Sequence, residues 1–240
     1  MTLANECIIV TGAAGNLGSV VAGVLARQGA QVVCVDRSDG TFGAIADGLV
    51  ADGLDPDRLL MIGGCDLGNK ASVERVVADA VARFGRVTGL VNTVGGFATG
   101  RVTETALDQW DLMMLLNAKI ALITSAAVLP AMIAAGHGRI VHIAAQPGIK
   151  ATAGQAAYAA SKAAVIRVVE TIAAEHRGDR ITANCILPGT IDTAVNRASM
   201  PNAKPDIWIS PTSIAEVIAY LVSPAAAVVT GAAIPATGLV

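Results

Sequence analysis

The stretch CIIVTGAAGNLG, residues 7–18, decides the fold. Cys7 to Thr11 is a short apolar and β-branched run, as a strand covered on both faces requires. Three glycines follow at a spacing of three, Gly12, Gly15 and Gly18, and open a helical run from Leu17 to Gln28. Strand, glycine turn and helix in that order begin a βαβ unit. The missing Cβ atoms suit a tight turn, close approach of a phosphate and close helix packing. The backbone N–H groups of Asn16, Leu17 and Gly18 at the helix start, with the helix dipole, suit a pyrophosphate.

Working outward, the same alternation continues. Strands are expected at 31–35, 59–63, 89–92, 139–143, 182–187 and, briefly, 232–235; helices at 40–51, 72–84, 106–135, 155–176 and 213–222. Short apolar strands separated by helices predict a doubly wound, Rossmann-type α/β fold, with a parallel sheet of about seven strands flanked by helices. No repeat, charge block or polar linker interrupts the series, so residues 1–240 read as one domain. At this length about 70% of the unfolded surface can be buried, enough for a full core. The irregular segment 192–210, with Pro201 and Pro205, is a candidate lid.

Composition narrows the partners. Seventeen basic against nineteen acidic residues give a net charge of −2, which offers no electrostatic attraction to nucleic acid or an anionic membrane. Ile120 to Ala135 is strongly apolar but shorter than a membrane span and contains Pro130, so it reads as a buried helix. MTLANECIIV shows neither a basic leader nor a cleavage site, so a cytoplasmic location is expected. Cys7, Cys34, Cys65 and Cys185 are widely separated, as buried free thiols would be. The expected partners are a small-molecule substrate and, because 53% of residues are hydrophobic and only 15% charged, further copies of the chain in a homodimer or homotetramer.

Asp36 ends the second strand, eighteen residues after Gly18. A carboxylate there accepts from ribose hydroxyls and repels a 2′-phosphate, which favours NAD(H). Arg37 beside it keeps NADP(H) open, and the pair with Ser38 also has the composition of a plain turn. Asp66 and Leu67 after the third strand can meet the adenine, and backbone from Asn92 through Val94 and Gly95 can lie along the adenine ribose. On a later helix, Tyr158 and Lys162 stand four residues apart on one face. A neighbouring cation favours the phenolate, so the tyrosine is expected to have a lowered pKa and to carry a proton.

The order of glycine turn, Asp36, Asp66, Asn92, Trp110 with Asn117, Tyr158-Ala-Ala-Ser-Lys162 and Pro188-Gly189 resembles the short-chain dehydrogenases/reductases over nearly the whole chain. The resemblance implies that Tyr158 is the acid/base, that Lys162 modulates it and holds the nicotinamide ribose, and that Asn117 holds a relay water. It also implies that Pro188, Gly189, Thr190, Ile191 and Thr193 contact the nicotinamide end. The chain departs from the family at Ala145, thirteen residues before the tyrosine, where a serine hydroxyl normally meets the substrate oxygen. Gln146 replacing that donor, a substrate activated enough not to need it, and a non-catalytic dinucleotide-binding protein are the alternatives. The turn, the segments 95–100 and 187–203, and Trp208 are similar to the quinonoid dihydropteridine reductase branch, which also lacks the serine. Phe97, Met200 and Trp208 are candidates for an apolar wall against a flat substrate. The three histidines lack metal-ligand spacing, so no metal is expected; His142, in a strand, reads as packed.

Overall fold

The computed structural model describes residues 2–39, 42, 47, 48, 50 and 54–238. Seven parallel strands form one sheet in the order β3-β2-β1-β4-β5-β6-β7. They are β1 Cys7–Thr11, β2 Gln31–Val35, β3 Leu59–Ile62, β4 Gly89–Asn92, β5 Gly138–Ile143, β6 Ile181–Pro188 and β7 Ala233–Ala236. The expected strands all form, with ends shifted by a residue or so. The described helices are α1 Gly18–Arg27, α2 Lys70–Phe84, α3 Leu107–Ala135, α4 Ala156–Glu175, α5 Ala194–Ser199 and α6 Pro211–Leu221. The helix expected at 40–51 lies largely outside the described residues.

Side-chain alternation on continuous apolar strands gives the sheet two buried faces. Ile9, Leu90, Ile140 and Ala183 pack with residues of α2, α3 and α4. Ile8, Val10, Val91 and Val141 pack with those of α1 and α6 on the other side. The strand order reverses between β1 and β4, and loops leaving the carboxyl ends diverge there into a crevice.

Three expectations need correction. First, α3 carries a π-helical turn at Met114–Lys119, which no periodicity announced. Second, α3 as a whole is long and apolar enough to cross a membrane, with a mean hydropathy of 1.9 in its most apolar window. Length therefore does not make it a core helix; packing does, because its own Ile120, Ala121, Val128 and Met132 are buried in the core. Third, the 192–210 segment is not wholly irregular. Thr193 caps α5 by accepting from Asn196 N at 3.1 Å, and Pro205–Ile207 forms a 3-10 turn.

Candidate active site

At the crevice, each glycine has its own geometry. Gly12 has φ +69°, a conformation open to glycine and strained for other residues. A Cβ at Gly18 would stand 2.1 Å from the Gly12 carbonyl oxygen, so α1 crosses the turn at backbone contact. A Cβ at Gly15 would meet only that same oxygen, at 3.1 Å. No side chain caps α1; Ser19 N donates to Gly15 O at 3.0 Å, and the N–H groups of Asn16, Leu17 and Gly18 make no hydrogen bond among the described residues, which leaves them for a ligand. Gly18→Ala is therefore expected to cost about 1–3 kcal/mol of stability by overpacking and to weaken dinucleotide binding at least tenfold. Denaturant melts and NADH fluorescence titration measure the two effects.

A cavity of about 540 Å³ extends from this turn, lined by Gly12, Asp36, Asp66, Leu67, Val94 and Gly95 among others. Asp36 Oδ2 accepts from Ala14 N at 3.1 Å, tying the carboxylate to the glycine turn, while Oδ1 accepts from Ser38 N at 3.1 Å. The turn-former and the crevice carboxylate are thus one side chain. Arg37 is exposed and borders the same cavity. Asp66 Oδ1 accepts from Gly68 N at 2.9 Å and shapes its own loop. Volume, glycine cradle and carboxylate fit a dinucleotide.

Asn92 does not line this cavity. Its side chain is buried in the sheet, accepting from Thr11 Oγ1 at 2.6 Å and Val94 N at 3.3 Å, and donating to His142 Nδ1 at 3.2 Å. His142 Nε2 faces Ser125 Oγ at 2.8 Å. With Nδ1 accepting, the ring is neutral and Nε2–H donates to the serine. Burial first, then the nearby Lys162 charge, pulls the His142 pKa down to about 3. Asn92 thus braces the loop that presents Val94 and Gly95, and its expected contact falls to those neighbours. His142 is packed in its strand as expected; its hydrogen-bond partners, Ser125 among them, come from other elements and had no local signal.

The Tyr158–Lys162 pair sits at the start of α4. Lys162 is 4% exposed; its Nζ donates to Ile143 O at 2.7 Å and lies 5.9 Å from the Tyr158 ring centroid. A Cβ on Gly95 would stand 3.1 Å from that Nζ, so the ammonium also abuts the cavity loop. Burial lowers the Lys162 pKa to about 8, leaving it charged at neutral pH. Tyr158 departs from expectation, because burial pushes its phenol up from the ordinary value. Desolvation sets that direction. The phenol oxygen makes no hydrogen bond among the described residues, and the Phe97 ring meets the tyrosine edge-on at 4.9 Å.

Asn117 lies within the π turn, buried, and is spent on protein groups. It donates to Gly96 O at 3.0 Å and Ser161 Oγ at 2.9 Å, and accepts from Gly96 N at 3.0 Å. Its amide therefore locks the 95–96 loop to α4, and the side chain has no donor left for the expected water. Ala145 is buried in extended backbone before a 3-10 turn at Gln146–Gly148. The half-buried Gln146 side chain makes no hydrogen bond among the described residues. Gly148 lets this turn approach α4, since a Cβ there would be 2.8 Å from the Lys162 carbonyl carbon.

The remaining predicted residues follow β6. Pro188 ends the strand, and Gly189 N donates to Ala236 O at 3.0 Å. Thr190 O accepts from Ile209 N at 2.9 Å, and Ile191 bridges to Ile209, which anchors both ends of the 192–210 segment. The Thr193 hydroxyl caps α5 as an acceptor, which leaves its O–H free to donate. Of the wall candidates Phe97 pairs edge-on with the Tyr158 ring, and Trp208 joins no aromatic ring pair among the described residues. No group of metal-ligating side chains occurs among the described residues, and all four cysteines are free and buried.

Comparison with known proteins bears on this arrangement directly. The sequence profile of the short chain dehydrogenases matches residues 6–204. An uncharacterized oxidoreductase of Staphylococcus aureus is 29% identical over 218 residues, 91% of each chain. A 2-(S)-hydroxypropyl-CoM dehydrogenase of Xanthobacter autotrophicus is 29% identical over 98% of this chain and 96% of its own. Among solved structures, one from Burkholderia xenovorans assigned to the short-chain dehydrogenases/reductases superposes with a TM-score of 0.90 at 32% identity, covering 98% of this chain and 96% of its own. Levodione reductase gives a TM-score of 0.90 at 26% identity, over 98% and 97%. Fold, strand order, glycine turn and profile agree: the chain belongs to the short-chain dehydrogenase family, as an NAD(P)-dependent oxidoreductase.

Proposed function

We propose that this protein reduces a small, activated carbonyl, quinonoid or imine substrate, with Tyr158 as the proton donor and no serine beside it. The observation that carries the reading is the placement of a half-buried, unbonded phenol next to a lysine that is itself anchored on Ile143 O and against Gly95. When bound, a nicotinamide dinucleotide supplies the hydride. Tyr158 gives its proton to the substrate heteroatom, and the nearby Lys162 ammonium stabilises the phenolate that remains. Asn117 acts by position, holding the 95–96 loop and α4 together. Asp36 favours NAD(H) over NADP(H), since a carboxylate at the adenine ribose repels a further phosphate. Phe97 offers an apolar edge to a flat substrate, which suits a quinonoid ring of the dihydropteridine kind as well as a cyclic ketone.

Ala145 makes the substrate class testable. A hydroxyl donor at a developing oxyanion is worth about 3 kcal/mol, or 10² to 10³ in rate. Ala145→Ser is expected to raise the reduction of simple, unactivated ketones about a hundredfold while changing the reduction of quinonoid dihydropterin or activated diketones by less than threefold. Steady-state NADH oxidation over both sets checks this. Equal, small effects on the two sets would mean that the free amide of Gln146 already supplies the donor. No NADH-dependent turnover with any of them would leave a dinucleotide-binding protein without catalysis.

The reading extends to a cytoplasmic homo-oligomer. Leu112, Leu115 and Leu122 are exposed along α3, beside Ala164 and Val168 of α4, and a second subunit would cover them. Light scattering of Leu122→Asp against the unaltered chain reads the dissociation expected.

A further inference from the structure

We propose that a cleft at the amino-terminal edge of the sheet, opposite the crevice, binds a small ligand that carries two negative charges on oxyanion oxygens. The cleft, about 560 Å³, opens where β5 and β6 begin and is lined by Glu6, His137, Arg139, Arg177, Arg180 and Thr182 among others. In a chain of net charge −2, three guanidinium groups against one carboxylate is a local reversal of sign. That carboxylate, Glu6, is already engaged by His137 Nε2 at 3.0 Å.

Arg139 forms a buried part of the wall at 6% exposure. Its Nη1 donates to Gly138 O at 2.8 Å and Arg180 O at 3.1 Å, and its Nε to Ser223 O at 3.4 Å. These partners are all backbone carbonyls, so the positive charge is held in place without being neutralised by a hydrogen-bonded carboxylate. Arg177 and Arg180 are exposed, and neither side chain makes a hydrogen bond or ion pair among the described residues. A guanidinium fork matches the oxygens of phosphate or carboxylate.

Two further observations point to a ligand. Thr182 is 5% exposed, and its Oγ1 has no hydrogen-bond partner among the described residues. It pairs in register with Arg139 across β5 and β6, which places hydroxyl and guanidinium on the same face. A buried hydroxyl left unbonded is costly and calls for a partner. Arg180, at φ +58°, is the one non-glycine among the described residues with positive φ. Its carbonyl accepts from Arg139 Nη1 and from Gly138 N, which holds the strained turn. The guanidinium then lies over Gly136, where a Cβ would be 3.2 Å from Nη2. The turn thus sets the Arg180 guanidinium beside Gly136 in the cleft wall. The volume exceeds that of bare phosphate, which indicates an oxyanion on a small organic body.

Calorimetric titration of the full chain with inorganic phosphate and with succinate, against chloride at equal ionic strength and with NADH present, tests the proposal. Saturable binding is expected, and the stronger of the two anions identifies a phosphate or a dicarboxylate as the source. Arg177→Ala combined with Arg180→Gly should weaken it at least tenfold and leave NADH binding unchanged; glycine accepts the positive φ, so the turn persists. Thr182→Val should weaken it several-fold while the melting temperature of the free protein holds or rises. Absence of saturable binding by either anion, or affinity retained in the double variant, overturns the assignment. Neither result depends on Tyr158 or on turnover.

Discussion

Tyr158→Phe is expected to lower NADH-dependent turnover by roughly a thousandfold, within the range of general acid catalysis, while the dissociation constant for NADH stays within twofold. The substitution removes one oxygen that makes no hydrogen bond among the described residues, so the fold loses nothing with it; the Phe97 contact is between rings and survives. The pH profile adds a second signature. Lys162, held near pKa 8 by burial, is protonated below that value and loses its charge above it. Reduction by the unaltered protein should therefore fall as pH rises through about 8, and the small residual rate of Tyr158→Phe should lose that dependence. If turnover is unaffected by the substitution, Tyr158 is not the proton donor.

The second large effect is on stability in acid. His142 is neutral and fully buried, with a folded-state pKa near 3 against about 6.5 in an unfolded chain. Between those values the unfolded state binds the extra proton and the folded state does not, so stability rises with pH across that window. The contribution is complete above pH 6.5 and is lost as pH falls toward 3. From pH 7 to 4.5 this one residue should cost on the order of 2–3 kcal/mol. His142→Gln removes the titrating ring and keeps an amide to meet Asn92 and Ser125. Its urea midpoint should fall less steeply over the same range, although it starts lower because the ring's packing is lost. Parallel decline of the two proteins would show that other groups govern acid unfolding.

The residues differ in how far sequence carried them. The glycine turn was readable because its constraints are local: Gly12 needs its positive φ, and Gly18 meets a carbonyl only six residues away. The Tyr158–Lys162 spacing was readable for the same reason, through the helical repeat. The direction of the tyrosine's pKa was not, because burial depends on what the rest of the chain places around it. Asn92 and Asn117 show the same limit. The side chain of each bonds protein groups contributed by distant elements, a bracing role that their place in the sequence did not announce. Thr193 caps a short helix that the two prolines of its segment had suggested was loop.

Sequence by itself determined the strands, their parallel doubly wound order and the family, because apolar runs, glycine spacing and helical period are properties of neighbouring residues and survive without knowledge of the fold. Tertiary structure alone decided the π turn at Asn117, the buried chain from Thr11 through Asn92 and His142 to Ser125, and the arginine cleft at the far edge of the sheet. The buried chain alone joins side chains 17 to 81 positions apart. Their charges and hydrogen bonds take shape only when packing removes water and brings the partners together.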